Sequence, residues 1–117
     1  MNLSNTPETK MSNITTITGE NFPKAVTESN GVTVVRFWAE WCAPCRRLEP
    51  LYKEIAGELG DRVAFGDVNI DAAPDVAGSL GVRSIPTIII FKDGKPVDGL
   101  VGLAAKSQYT AKIESLL

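Results

Sequence analysis

Apolar positions along the chain fall into short dense runs and helically spaced sets, separated by polar stretches. Residues 1–11 are polar and unpatterned and read as a disordered tail, which leaves residues 12–117 as one domain. A short alternating segment runs from Ile14 to Ile17. Thr18-Gly19-Glu20-Asn21 then opens a helix with Phe22, Ala25 and Val26 at helical spacing. The run Val32 to Ala39 is β-branched and aromatic nearly throughout, the pattern of a strand buried on both faces of a sheet. Leu48, Leu51, Tyr52, Ile55 and Leu59 repeat at three and four, which predicts an amphipathic helix ending near Gly60. Pro50 lies inside it and is expected to kink it, because proline removes a hydrogen bond and crowds the preceding turn.

Val63 to Ile70 is a second apolar strand. Strand, helix and strand at this spacing make a right-handed crossover between parallel strands. A short helix from Asp75 to Leu80 follows. Thr87 to Lys92 and Pro96 to Leu103 are then joined through Asp93-Gly94, a strong hairpin signal, so this pair is antiparallel. Lys106 to Leu117 closes the chain as a helix with Tyr109, Ile113 and Leu116 on one face. The expected architecture is α/β: a mixed five-stranded sheet, parallel then antiparallel, with helices on both faces.

Composition narrows the function. A length of 117 residues with 44% hydrophobic and 22% charged residues fits one ordinary folded domain. A net charge of −2 offers no basic patch, which argues against nucleic acid as a partner. No apolar run approaches the roughly 18 residues that a membrane span needs. The first ten residues lack an apolar core, a small-residue cleavage site and arginine, so neither a secretory signal nor a transit peptide is expected. The expected address is cytoplasmic. In that compartment two cysteines read as catalytic or metal-binding rather than as a disulfide scaffold.

The candidate chemistry lies in Trp41-Cys42-Ala43-Pro44-Cys45, where the buried strand hands over to the long helix. Cys42 falls near the helix N-terminus, where unpaired N–H groups and the helix dipole favour a thiolate. Cys45 follows one turn along the same face, close enough to close a small ring. Pro44 costs little there, since its missing N–H would have no helical partner. Competing readings are weaker. Structural zinc wants four ligands, but the chain offers two cysteines and no histidine, so no metal is expected. Haem attachment fails because residue 46 is Arg. A purely structural disulfide over so short a loop would stabilise little. Trp38 reads as a core residue, and Trp41 as a contact residue beside the cysteine. Arg46 and Arg47 read as solvated helix charge, and Glu49, Lys53, Glu54 and Glu58 as a wet helix face.

Phe37-Trp-Ala-Glu-Trp-Cys-Ala-Pro-Cys45 resembles the active-site signature of the thioredoxin family, and Gly81-Val-Arg-Ser-Ile-Pro-Thr87 resembles the segment that faces it. Phe22, Pro50, Asn69-Ile-Asp71, the Asp93-Gly94 turn and Gly102 also fall where that family has them. The resemblance covers residues 12–117. It implies a protein-disulfide reductase in which Cys42 attacks a client disulfide and Cys45 resolves the mixed disulfide, the two alternating between a dithiol and a redox-active disulfide. It further implies a cis Ile85–Pro86 bond and a substrate-binding surface of Trp41, Ala43, Pro44, Ile85, Pro86, Val101 and Gly102. The implied partners are a thioredoxin reductase and disulfide-containing clients, for a monomer without a cofactor. A different class of function is a redox-switched binding module or subunit, since this apolar surface could serve binding alone.

Two positions depart from the family. Ala43 stands where most members have Gly, which adds a methyl beside the nucleophile and bears on the redox poise. Arg36 stands where the family usually has a buried Asp, and Asp67 where it usually has Lys. Arg36 shares a strand face with Val34 and Trp38, so its charge is expected to be partly buried and offset by Asp67 on the neighbouring strand. The alternative is that Arg36 snorkels to solvent and Asp67 is incidental. An arginine accepts no proton at physiological pH, so the family's proton-relay role passes to Asp67 or to water.

Overall fold

A computed structural model of the chain describes residues 13–117. The tail reading of residues 1–11 lies outside the described residues. Five strands form one mixed sheet in the order β1-β3-β2-β4-β5. They are β1 (Ile14–Thr16), β2 (Val32–Trp38), β3 (Val63–Asn69), β4 (Thr87–Lys92) and β5 (Lys95–Val101). β3 runs parallel to both β1 and β2, while β4 runs antiparallel to β2 and β5. The central strand β2 is thus bonded on both edges. Its residues are buried from Val32 to Phe37, with Trp38 half-buried, which is why the segment reads as a nearly continuous β-branched and aromatic run, broken by the buried Arg36.

Side chains alternate between two cores. On one face Val32, Val34, Phe65, Ile88 and Ile90 pack under α1 (Ala43–Leu59) and α3 (Lys106–Glu114), which contribute Leu48, Tyr52, Ile55, Tyr109 and Ile113. On the other, Val35, Phe37, Val68 and Phe91 meet Ile17, Val26 and α2 (Pro74–Ser79). At this second core Gly66 leaves room for the Ile17 side chain, which would have to shift if a Cβ stood there. Tyr52 ties α1 to the sheet: its hydroxyl lies 2.7 Å from the Gly66 carbonyl and 3.1 Å from the Val34 carbonyl. Lys106 joins α3 to α1 through Glu58 at 2.6 Å and Glu54 at 3.6 Å, so part of the charged helix face serves an interhelical contact.

Several boundaries differ from the sequence reading. The first helix is a short π-helical turn, Pro23–Thr27, entered from Thr18 as expected. The Phe22 N–H donates to the Thr18 carbonyl at 2.9 Å and the Ala25 N–H to the Asn21 carbonyl at 2.8 Å. Thr18 and Asn21 cap this start reciprocally, the Thr18 N–H donating to Asn21 Oδ1 at 2.8 Å and the Asn21 N–H to Thr18 Oγ1 at 3.4 Å. β5 begins at Lys95 and ends at Val101, where Gly102 takes a φ of +88°. The last helix ends at Glu114 rather than Leu117. Helix α1 runs through Pro50 as one element. In the hairpin, Asp93 and Gly94 both take positive φ, 52° and 83°, as a two-residue turn of this type requires. Any side chain at Gly94 would also strike the Thr27 carbonyl.

Candidate active site

The site lies where β2 ends and α1 begins. Cys42 is the N-cap of α1, in extended conformation, and its sulfur accepts the Cys45 N–H at 3.2 Å. This satisfies one of the donors that every helix start leaves unpaired, and it directs positive backbone charge at the sulfur. The two cysteines are joined as a disulfide with a Cα–Cα separation of 5.3 Å. Their surroundings differ: Cys42 is 5% exposed, whereas Cys45 is wholly enclosed. Ala39, Trp38, Ile70 and Ile85 pack around the pair as a small apolar cluster. Ala43 is exposed and Pro44 half-buried in the first turn of α1.

The facing loop is brought against this cluster by Ile85. The Ile85–Pro86 bond is cis, and Pro86 is buried. Thr87 steadies the loop by donating its hydroxyl to the Ser84 carbonyl at 2.6 Å. Gly102 donates its N–H to the Pro86 carbonyl at 2.8 Å, which joins the end of β5 to the same loop. Val101, 69% exposed, projects beside it, and Trp41 is 67% exposed on the other side of the cysteines. These two are the most exposed large apolar side chains among the described residues. Sequence reasoning missed the anchor of Trp41, whose indole N–H donates to Asp71 Oδ2 at 2.8 Å. Asp71 is itself held by its N–H on Asn69 Oδ1 at 2.9 Å. An Asn-x-Asp turn after a strand is the only local signal for that anchor.

Arg36 and Asp67 stand directly opposite each other in the parallel β2–β3 ladder. Arg36 does not snorkel; it is 1% exposed. Its Nε donates to Asp67 Oδ1 at 2.9 Å and its Nη2 to Oδ2 at 3.2 Å, a two-pronged pairing. Nη1 donates to the Cys45 carbonyl at 3.0 Å, a contact that strand periodicity could not reveal. The guanidinium carbon lies 5.0 Å from the Trp38 ring centre and 5.5 Å from that of Tyr52. Asp67 is the partner nearer water, with a side chain 24% exposed. Burial raises its pKa above the ordinary Asp value, and the hydrogen bonds and charge of Arg36 pull it only partly back. Burial likewise pushes the Tyr52 hydroxyl well above the usual tyrosine range, which keeps it a neutral donor.

Among the described residues no group of three or more His, Cys, Asp or Glu side chains is placed to hold a metal, and no helix is long and apolar enough to cross a membrane. The fold and the paired cysteines define a thiol–disulfide oxidoreductase. The thioredoxin family model matches residues 13–115, and the chain belongs to the thioredoxin family. It is 45% identical over 97 residues to thioredoxin 1 of Synechococcus elongatus, covering 83% of this chain and 91% of that one. It is 40% identical to the chloroplastic M-type thioredoxin of Chlamydomonas reinhardtii, covering 86% of this chain and 72% of that protein. A solved thioredoxin of Malassezia sympodialis superposes with a TM-score of 0.80 at 33% identity, covering 88% of this chain and 90% of that one.

Two outcomes follow from the charge pair. Asp67→Ala strands a buried guanidinium and is expected to lower stability by about 3–5 kcal/mol, read by chemical denaturation. Additive losses in an Arg36/Asp67 double-mutant cycle would contradict the coupling. The second concerns pH. The folded state holds the Asp67 proton more tightly than the unfolded chain, so the contribution of that proton is full below the ordinary value of 3.8 and is lost as pH rises through the higher folded pKa. Wild-type stability relative to Asp67→Asn should therefore fall with rising pH across that window. A flat difference, or a rising one, would refute it.

Proposed function

We propose that this chain reduces protein disulfides with Cys42 as the nucleophile and Cys45 as the resolving thiol. The supporting observation is the asymmetry of the pair: Cys42 is the N-cap of α1 and keeps 5% exposure, whereas Cys45 is fully enclosed one turn inside. In the reduced protein a Cys42 thiolate, favoured by the helix start, attacks a client disulfide and expels one client thiolate. Cys45 then attacks the Cys42 sulfur, closing the ring and releasing the second client thiol.

Trp41, Ala43, Pro44, Ile85, Pro86, Val101 and Gly102 form the apolar collar on which a client docks, with the Ile85 backbone offering a strand edge. Residues 12–117 act as a single monomeric domain. The setting is cytoplasmic, and a thioredoxin reductase returns the disulfide to the dithiol. Asp67 pairs with the guanidinium that also holds the Cys45 carbonyl, and we assign it the proton of Cys45, received through water.

Reduction of insulin at low enzyme concentration tests the activity against the binding-module alternative. Cys42→Ser should abolish reduction, whereas Cys45→Ser should still attack and accumulate mixed disulfides. The reverse trapping pattern would overturn the assignment of roles. Single-turnover kinetics with a fluorescent disulfide test the proton acceptor. Folded Asp67→Asn protein is expected to resolve the mixed disulfide several-fold more slowly while attack by Cys42 keeps its rate. Equal resolution rates would leave water as the sole acceptor.

A further inference from the structure

Arg36 does more than neutralise Asp67. Two nitrogens on one edge of its guanidinium satisfy the carboxylate, and the remaining one reaches the carbonyl of Cys45 at 3.0 Å, the residue that bears the enclosed sulfur. Trp38 and Tyr52 flank the guanidinium at 5.0 and 5.5 Å, so it has no room to swing away. The cation is therefore turned toward Cys45, and the carboxylate lies on its opposite edge. Other charges are weaker claimants on this spot. Glu49 and Lys53 of α1 act on Asp67 but pair with each other at 3.3 Å and are largely exposed. Glu40 and Arg46 line the hollow beside Trp38 and are also exposed. Solvent screens all four more than it screens Arg36.

We propose that Arg36 is a positioning residue for the resolving step, holding the Cys45 carbonyl and favouring the Cys45 thiolate through a fixed positive charge beneath the first turn of α1. This rests on the assignment of Cys45 as the resolving thiol. In that step Cys45 first gives up its proton to the acceptor. An electron pair of its sulfur then forms the bond to Cys42 Sγ, the bond from Cys42 to the client sulfur breaks, and the client leaves as a thiolate that takes a proton from water. The guanidinium neither gives nor takes a proton; it stabilises the anion that the step requires. The contribution holds whether Asp67 or water is the acceptor.

The test isolates one thiol. In a Cys42→Ser background the only titrating sulfur is Cys45, and its thiolate absorbance is followed against pH. The paired replacement R36M/D67L removes both charges without stranding either, so it is expected to stay folded. Its Cys45 titration should move up by about one pH unit, a tenfold loss of thiolate at neutral pH. R36K keeps the charge and should titrate near the parent. If R36M/D67L does not fold, R36Q carries the same upward expectation. With Cys42 restored, R36M/D67L should resolve the mixed disulfide more slowly than Asp67→Asn, which loses the carboxylate but keeps the cation, and R36K should resolve at close to the parent rate; a merely structural role would not separate these variants. An unmoved Cys45 titration in the neutral variants, or an R36K shift as large as theirs, overturns the proposal. Trapping by Cys45→Ser tells the two failures apart: if trapping persists while the titration is unmoved, the Arg36 inference alone fails, and if trapping is absent, the assignment of the cysteines fails.

Discussion

The handover from β2 to α1 is the constraint on which the rest of the molecule depends. Among the described residues β2 is the central strand of the sheet, bonded to parallel β3 on one edge and antiparallel β4 on the other, so it is held from both sides. It ends at Trp38, and α1 starts at Ala43 with Cys42 as its cap. That strand fixes where the helix begins, and the helix start determines which cysteine keeps a small exposure and which is fully enclosed. The facing loop meets this junction from the start of β4, on the antiparallel side of the same strand. Both halves of the site thus hang from one central element, which is how a small domain can hold reactive sulfurs in a defined environment.

Much of this was readable from residue pattern. The apolar run of β2, the three-and-four spacing in α1 and the Asp93-Gly94 turn each reflect a local physical demand: two-sided burial, one-sided burial and positive φ. Elements governed by such demands leave a trace in sequence. The start of the first helical turn at Thr18 left such a trace, but the π-helical form of Pro23–Thr27 did not, because it is set over only a few residues by a proline without an N–H and the Thr18–Asn21 cap that leads into it. The irregularity between Ile90 and Phe91 in the β4–β5 pairing likewise leaves no pattern, since alternation continues on one strand while the partner slips.

The site divides in the same way. Cysteine spacing and the strand-to-helix junction are local, and they point to the chemistry directly. The cis bond before Pro86 came from resemblance, since nothing in the chemistry of Ile85 and Thr87 demands it. The Trp41–Asp71 bond and the reach of Arg36 to the Cys45 carbonyl join residues far apart in sequence or depend on a particular side-chain path. Strand alternation could place Arg36 on the helix-covered face, but it could not say which of its nitrogens meets which oxygen.

Exchanging the signs of a facing pair on adjacent strands preserves one property and alters another. Arg36 and Asp67 sit in register, so the desolvation of each charge is offset by the other whichever strand carries which. Packing is met too, because the guanidinium lies over the Trp38 and Tyr52 rings, 5.0 and 5.5 Å from their centres. Acid–base behaviour is not preserved. A carboxylate on the central strand could change its charge during a reaction, while a guanidinium there is a constant. The group able to titrate is moved to β3, nearer water, and the group beside Cys45 becomes a fixed cation. The exchange therefore keeps an ion pair in the sheet while turning its cationic end toward the Cys45 carbonyl in the first turn of α1, and the cysteines are where that orientation bears on the chemistry.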